Sequence, residues 1–298
     1  MLSSALGSGK AFHALFISSV DASAALSLAR RAAALCLTGR DDEAAVINEA
    51  DYHYLAGGET GVNEIRAIID ELSKTAFEGG MRAIVISDAH AMTREAQNAL
   101  LKTLEEPPRG VIFLLCGNAD GMLSTIISRC ALIRLGQADR RETENELMLR
   151  GVSGADARLY ARISGGSTGR AIRLSEDGEF REQRERSINA LSALFGGELQ
   201  AGAAKAIAKG GAAEGLTFML SFMGDILSVN MGNIREIDNI DRQDAVRQCA
   251  ARFTTRQILC IIDMITKASE SLYRASGGDM YPAAALDGLF LSILKELK

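Results

Sequence analysis

Four short apolar runs in the first half of the chain, 14–18 (ALFIS), 83–87 (AIVIS), 111–116 (VIFLLC) and 131–135 (ALIRL), set the strongest limit on its fold. Each is apolar on both faces, the pattern of a strand covered on both sides in a parallel sheet. A weaker fifth run lies around 46–49. Helical patterns separate these runs. Residues 23–36 repeat Ala and Leu at helical spacing, and 61–75 place Val62, Ile65, Ile68, Ile69 and Leu72 on one side. In 93–106, Thr93 reads as an N-cap with Glu95 in the first turn. Ala96, Ala99, Leu100, Leu101 and Leu104 form the expected buried face there, and Pro107-Pro108 stops the helix. Strands alternating with helices predict a layered α/β domain with a mainly parallel sheet.

After Leu135 the strand signal ends. Short helical patterns at 139–151, 155–163 and 170–175 follow, the last behind Gly165-Gly166-Ser167-Thr168-Gly169. Residues 176–179 are polar and read as a linker. From 180 onward the pattern is helical, interrupted at Gly196-Gly197, Gly210-Gly211 and Gly277-Gly278. The expected organisation is an α/β domain over 1–136, a small helical lid over 137–177 and an all-helical domain over 180–298. The scarcity of proline (Pro107, Pro108 and Pro282 only) suits a helix-rich chain.

A net charge of −5 does not advertise a basic face for phosphate binding, although a local patch can sit within an acidic average, so any link to DNA is expected to run through partners. Cys36, Cys116, Cys130, Cys249 and Cys260 are scattered without C-x-x-C spacing and read as free thiols in a reducing compartment. His13, His53 and His90 stand alone, so no metal is expected. With no leader pattern and no apolar run of about eighteen residues, the chain is expected in the cytoplasm and off the membrane.

Two places invite a phosphate loop, and both lack its parts. A working loop, G-x-x-x-x-G-K-[ST] between strand and helix, needs glycines for backbone approach, a lysine for charge and a hydroxyl for magnesium. Gly7-Ser8-Gly9-Lys10 is followed by Ala11, has Ser4 where the first glycine belongs, and follows no strand; it reads better as a lead-in. The proper position, after ALFIS, holds Ser19-Val20-Asp21-Ala22-Ser23-Ala24-Ala25, with no glycine or lysine and with Asp21 adding negative charge. Where a magnesium-holding acid would end the strand at 83–86, Ser87 and Asp88 stand; Asp88 could polarise a water or, the better reading, cap the next turn.

The run Gln97-Asn98-Ala99-Leu100-Leu101-Lys102-Thr103-Leu104-Glu105-Glu106-Pro107-Pro108 resembles the signature of bacterial clamp-loader subunits, which are AAA+ proteins. Leu123-Ser124-Thr125-Ile126-Ile127-Ser128-Arg129-Cys130 is similar to their Ser-Arg-Cys motif, and His13-Ala14-Leu15-Phe16 to their opening strand. A weaker likeness covers Tyr281-Pro282-Ala283-Ala284-Ala285-Leu286-Asp287-Gly288-Leu289-Phe290-Leu291, in the domain that joins such subunits into a collar.

The resemblance implies an AAA+ core, a lid and a collar. Aligned on strand and helix, it puts the family's glycines at Ser19, Ala22 and Ala24 and its lysine at Ala25, and replaces its Asp-Glu pair with Ser87-Asp88. The four-cysteine zinc module of γ and τ is missing after Cys36. The resemblance therefore favours a δ′-type subunit of DNA polymerase III with no catalysis of its own and no cofactor. It would be a component of a DNA-directed DNA polymerase holoenzyme, with γ/τ, δ and the sliding clamp as partners and primer-template DNA reached through the complex. Arg129 would serve a neighbour's ATP in trans, with Ser128 positioning the turn and Cys130 packing beneath; the plainer alternative is a surface arginine in a salt bridge. An ATP-binding γ/τ-like subunit and a scaffold outside replication are the competing functions. Asn118 and Glu105-Glu106 read as turn and helix-end residues. Arg170 lies near the lid arginine's place, although alignment puts that place on Gly169.

Overall fold

The computed structural model describes residues 13–74, 80–233, 237–274 and 281–297, which form two compact units, Met1–Gln137 and Ala138–Lys298. In the first unit, β1 (Ala14–Ser18), β2 (Tyr52–Ala56), β3 (Arg82–Ser87), β4 (Val111–Gly117) and β5 (Ala131–Arg134) form a sheet of order β2-β3-β4-β1-β5. Every pairing is parallel, with Phe16 opposite Leu115 and Leu132, and Ile84 opposite His53 and Phe113.

Successive strand residues face opposite sides. Leu15, Ile17, Ala83, Val85, Ile112 and Leu114 pack with α1 (Ala22–Thr38). Phe16, Ile84, Ile86, Phe113 and Leu115 pack with α2 (Val62–Lys74), α3 (Arg94–Glu105) and the short α4 (Ser124–Ile127). The α1 face is built almost wholly of alanine, with Ala25, Ala29, Ala32, Ala33 and Ala34 fully buried. α1 leaves β1 on one face, and α4 follows β4 on the other. In parallel sheets of this kind the carboxyl ends of strands whose helices diverge, here β1 and β4, are the usual ligand place.

The fifth strand differs from expectation. Residues 46–49 follow a 3-10 turn, and Val46 is buried under α1; the strand is Tyr52–Ala56. Its sequence, YHYLA, carries polar aromatics because it is an edge strand with only half-buried side chains, which hides the apolar signal. α3 begins at the expected Thr93 cap, whose hydroxyl accepts from the Ala96 N–H at 3.2 Å. Its buried face includes Gln97 and Thr103, whereas Ala99 and Leu101 are only half-buried.

In the second unit, α5 (Arg140–Leu149), α6 (Gly154–Ile163) and α7 (Thr168–Glu176) share a small core of Leu147, Ala157 and Ala171. α8 (Gly178–Phe195), α9 (Ala203–Lys209), α10 (Ala212–Asn230), α11 (Gln243–Arg252), α12 (Thr255–Arg274) and α13 (Pro282–Glu296) follow. The linker expected at 176–179 is no break between units. Asp177 ends α7 and caps α8, accepting from the Phe180 N–H at 3.0 Å. Ile163 and Leu174 then pack with Phe180 and Phe218, whose ring centroids lie 5.3 Å apart, so lid helices and later helices share one unit. Gly196-Gly197 and Gly210-Gly211 end α8 and α9 as expected, while Gly277-Gly278 lies outside the described residues.

α10 is long and apolar enough to cross a membrane by length and composition alone, yet Leu216, Phe218, Met219, Phe222, Met223 and Ile226 are buried within the unit. The C-terminal stripe is also largely internal. Leu286, Leu289, Phe290 and Ile293 lie in this core, Leu294 and Leu297 pack against it, and Leu291 stays half-exposed.

Candidate functional site

At the carboxyl end of β1 only residues 19–21 precede α1. The buried Asp21 carboxylate accepts from the Ser23 and Ala24 N–H groups at 3.0 and 3.1 Å and from the Ser23 hydroxyl at 2.6 Å. Its own N–H donates to Ser19 Oγ at 3.0 Å. A helix N-terminus attracts an anion through its unpaired N–H groups and dipole. Here the protein's own carboxylate fills that role. Of the expected loop residues, Ser19 remains in the connection, whereas Ala22, Ala24 and Ala25 lie in the first helical turn. Ala25 is fully buried, and its carbonyl accepts from Cys116 Sγ at 3.4 Å. The other candidate loop, Gly7–Lys10, lies outside the described residues.

Across β4, Ser87 ends β3 with its hydroxyl 2.9 Å from Tyr54 Oη. Asp88 departs from expectation, because its side chain makes no capping bond. Its backbone instead takes the left-handed conformation at φ 46°, an uncommon one for a residue with a Cβ. Its carbonyl accepts from the Ala91 N–H at 2.8 Å, and Gly57 packs so close that a Cβ there would lie 2.3 Å from that oxygen. His90 follows, against Gly117 and Gly121. Burial pushes its imidazole below the usual range, with the Asp88 charge acting in the opposite direction. The Cys116 thiol is pushed up to about 12, first by burial and then by the Asp88 charge, which removes it as a nucleophile. Asn118 is a turn residue, accepting from the Asp120 N–H at 3.0 Å.

Arg129 lies elsewhere on this unit. It lies in the turn that leads into β5, at the sheet's amino-end edge, while Ser19, Asp21 and Asp88 sit at the carboxyl ends. A strand of five to seven residues separates the two edges, about 15–20 Å. The N–H groups of Ser128 and Arg129 bond the carbonyls of Ser124 and Ile126, each at 3.0 Å, and the Ser128 hydroxyl donates to the Thr125 carbonyl at 3.0 Å. Arg129 Nη1 donates to that same carbonyl at 2.8 Å, and Nη2 meets Glu105 Oε1 at 2.5 Å. Glu105 is thus an ion-pair partner rather than a helix-end cap, and Glu106 occupies the C-cap position. Cys130 is half-buried against the core on this face, its thiol pushed up to about 11 by burial.

Sequence reading places Gln97 in the clamp-loader signature but gives it no role. Buried in α3, it donates through Nε2 to the Met92 carbonyl at 3.2 Å, and its Oε1 accepts from the Leu123 N–H at 3.0 Å. One amide therefore ties the turn after β3 to the segment leading into Arg129. A polar residue on the apolar face of a helix was the available signal.

In the second unit, Arg170 pairs with Glu214 at 3.2 Å and stacks over Phe218 at 4.6 Å. Gly169 lies in α7 without a side chain to offer. Nearby, a cavity of about 660 Å³ is lined by Arg140, Arg162, Arg170, Leu220, Asp225 and Asp238 among others. Arg140 is engaged by Asp238 at 2.9 Å, and Arg162 donates to the Ile237 carbonyl at 2.9 Å. Among the described residues, no group of three or more His, Cys, Asp or Glu could hold a metal ion.

Known proteins match both units. The family described as DNA polymerase III, delta subunit, matches residues 1–139, and its C-terminal counterpart matches 178–279. The chain is 30% identical over 214 residues to DNA polymerase III subunit delta′ of Bacillus subtilis, covering 67% of this chain and 64% of that protein. It is 29% identical over 233 residues to the Escherichia coli delta′ subunit, covering 76% and 69%. It is 32% identical over 148 residues to the E. coli tau subunit, covering 47% and 23%.

Proposed function

The chain belongs to the DNA polymerase III delta-subunit family, in its delta′ type, and on that premise we propose that it serves a clamp-loader complex as a subunit that binds no nucleotide itself and lends Arg129 to a neighbouring subunit's ATP. The observation that carries this reading is the separation of parts across the sheet. At the α1 N-terminus the Asp21 carboxylate already takes the Ser23 and Ala24 N–H groups, with Ala25 buried and no lysine in 19–25, so an incoming phosphate would meet a resident anion instead of a cradle. Arg129 precedes β5 at the opposite edge of the sheet, a placement that supports service to a nucleotide brought by another chain rather than to this chain's own carboxyl-end site.

A guanidinium delivered in trans offsets negative charge developing on the transferred phosphoryl group. Its planar fork suits phosphate oxygens better than a lysine would. Ser128 holds the turn that carries it, and Cys130 anchors the turn to the core. The partners proposed are γ/τ-like and δ subunits and the sliding clamp, with primer-template DNA reached through the assembly.

Two measurements test this. In a reconstituted complex, Arg129→Ala is expected to leave assembly intact while turnover at the site it faces falls by about three to five orders of magnitude, followed by phosphate release. Unchanged release would end the trans-arginine reading. Equilibrium dialysis of the isolated chain with labelled ATP is expected to find no binding at micromolar concentrations; retention there would instead mark an ATP-binding γ/τ-like subunit.

A further inference from the structure

We propose that Glu105 parks Arg129, holding the guanidinium in a closed ion pair that must open before the arginine can reach a nucleotide on the neighbouring subunit. This rests on the trans-arginine reading and adds a control to it. Both terminal nitrogens of Arg129 are engaged within the chain, Nη2 by Glu105 at 2.5 Å and Nη1 by the Thr125 carbonyl at 2.8 Å. The side chains of Arg129 and Glu105 are 33% and 50% exposed, so the pair sits at the surface where an incoming group can compete for it.

The electrostatics favour opening over sharing. A phosphate approaching the closed pair meets a carboxylate beside the guanidinium, and the two charges nearly cancel at a distance. The arginine gains its full attraction for phosphate only after the carboxylate is left behind. Glu105 is also well placed to sense packing. It is the last residue of α3, held there by the Pro107-Pro108 stop, while Arg129 follows α4, and the two helices share one core. A change in their spacing alters the pair directly. Glu105 is accordingly a positioning residue that acts through Arg129.

The test is ATP hydrolysis by the reconstituted complex without DNA or clamp. Glu105→Gln keeps the shape and removes the charge, and Glu105→Ala is a second variant that removes the side chain. Both are expected to raise turnover at the site facing Arg129 by about two- to fivefold, the range an exposed ion pair can supply. Glu105→Gln added to Arg129→Ala should change nothing, a dependence that a merely structural role would not produce. Unchanged or lower turnover in both Glu105 variants, with Arg129→Ala still severely impaired, overturns the parking and leaves the trans-arginine reading standing. A rise that persists in the Arg129→Ala background also overturns it. If Arg129→Ala matches the parent, the trans-arginine reading fails and the parking falls with it.

Discussion

Single side chains at this site act mainly by satisfying backbone groups. Asp21→Ala removes the acceptor for two N–H groups of α1 and is expected to cost about 0.5–2 kcal/mol, read as a lower urea midpoint at constant m. Gln97→Ala strands a buried carbonyl and a part-buried N–H. About 1–3 kcal/mol is expected for it in the same measurement. His90 gives a pH dependence of definite sign. Its native pKa is lowered by burial, so the unfolded chain takes up a proton first as pH falls. Its contribution is complete above about 6.5, the ordinary value, and is lost as pH drops from there toward the lowered native value. Replacing His90 by Asn should flatten that part of the stability–pH curve, and an unaltered slope would exclude burial as its cause. At this scale the sequence named Arg129 and Glu105 but could not pair them. They are 24 residues apart, and pairing depends on how α3 and α4 close over one core.

Secondary-structure elements were read with more success where burial is two-sided. β1, β3 and β4 lie where continuous apolar runs predicted them, because these central strands are covered on both faces; β5, the other edge strand, is only half-buried yet keeps its apolar run. β2 was misplaced because its half-exposed edge position accepts Tyr52, His53 and Tyr54. α1 shows why an alanine-rich helix matters. Its five fully buried alanines leave little room above the sheet, so Ala29→Leu should overpack that layer by about 1–3 kcal/mol. In the second unit, Arg184 is 5% exposed and bonds Asp241 twice, at 2.8 and 2.9 Å, and Asn239 at 2.8 Å, tying the stretch before α11 to α8. Nothing in the spacing announced this network, since its members are more than fifty residues apart. Arg184→Met is expected to cost about 2–3 kcal/mol, less than a fully buried pair because Asp241 still reaches solvent.

For the molecule as a whole, each unit has its own hydrophobic core, and the Arg184 network belongs wholly to the second. Hydrogen exchange should therefore show Arg184→Met loosening residues after Ala138 while amides of β1, β3 and β4 keep their protection. The net charge of −5 argues in the same way for DNA. At about 0.15 M salt the isolated chain should show no anisotropy change with labelled primer-template, since counterion release needs several phosphate contacts from cations.

The carboxylate of Asp21 makes the start of α1 self-saturated. A lysine restored at position 25 would find a fully buried backbone site, a connection of residues 19–21 too short to wrap a triphosphate, and an internal anion already seated on the helix. On the proposed reading, three separate features oppose nucleotide binding here, so a single lysine substitution at Ala25 is expected not to create it. If the chain binds no nucleotide, as proposed, its response to a hydrolysis cycle would have to come from neighbouring subunits.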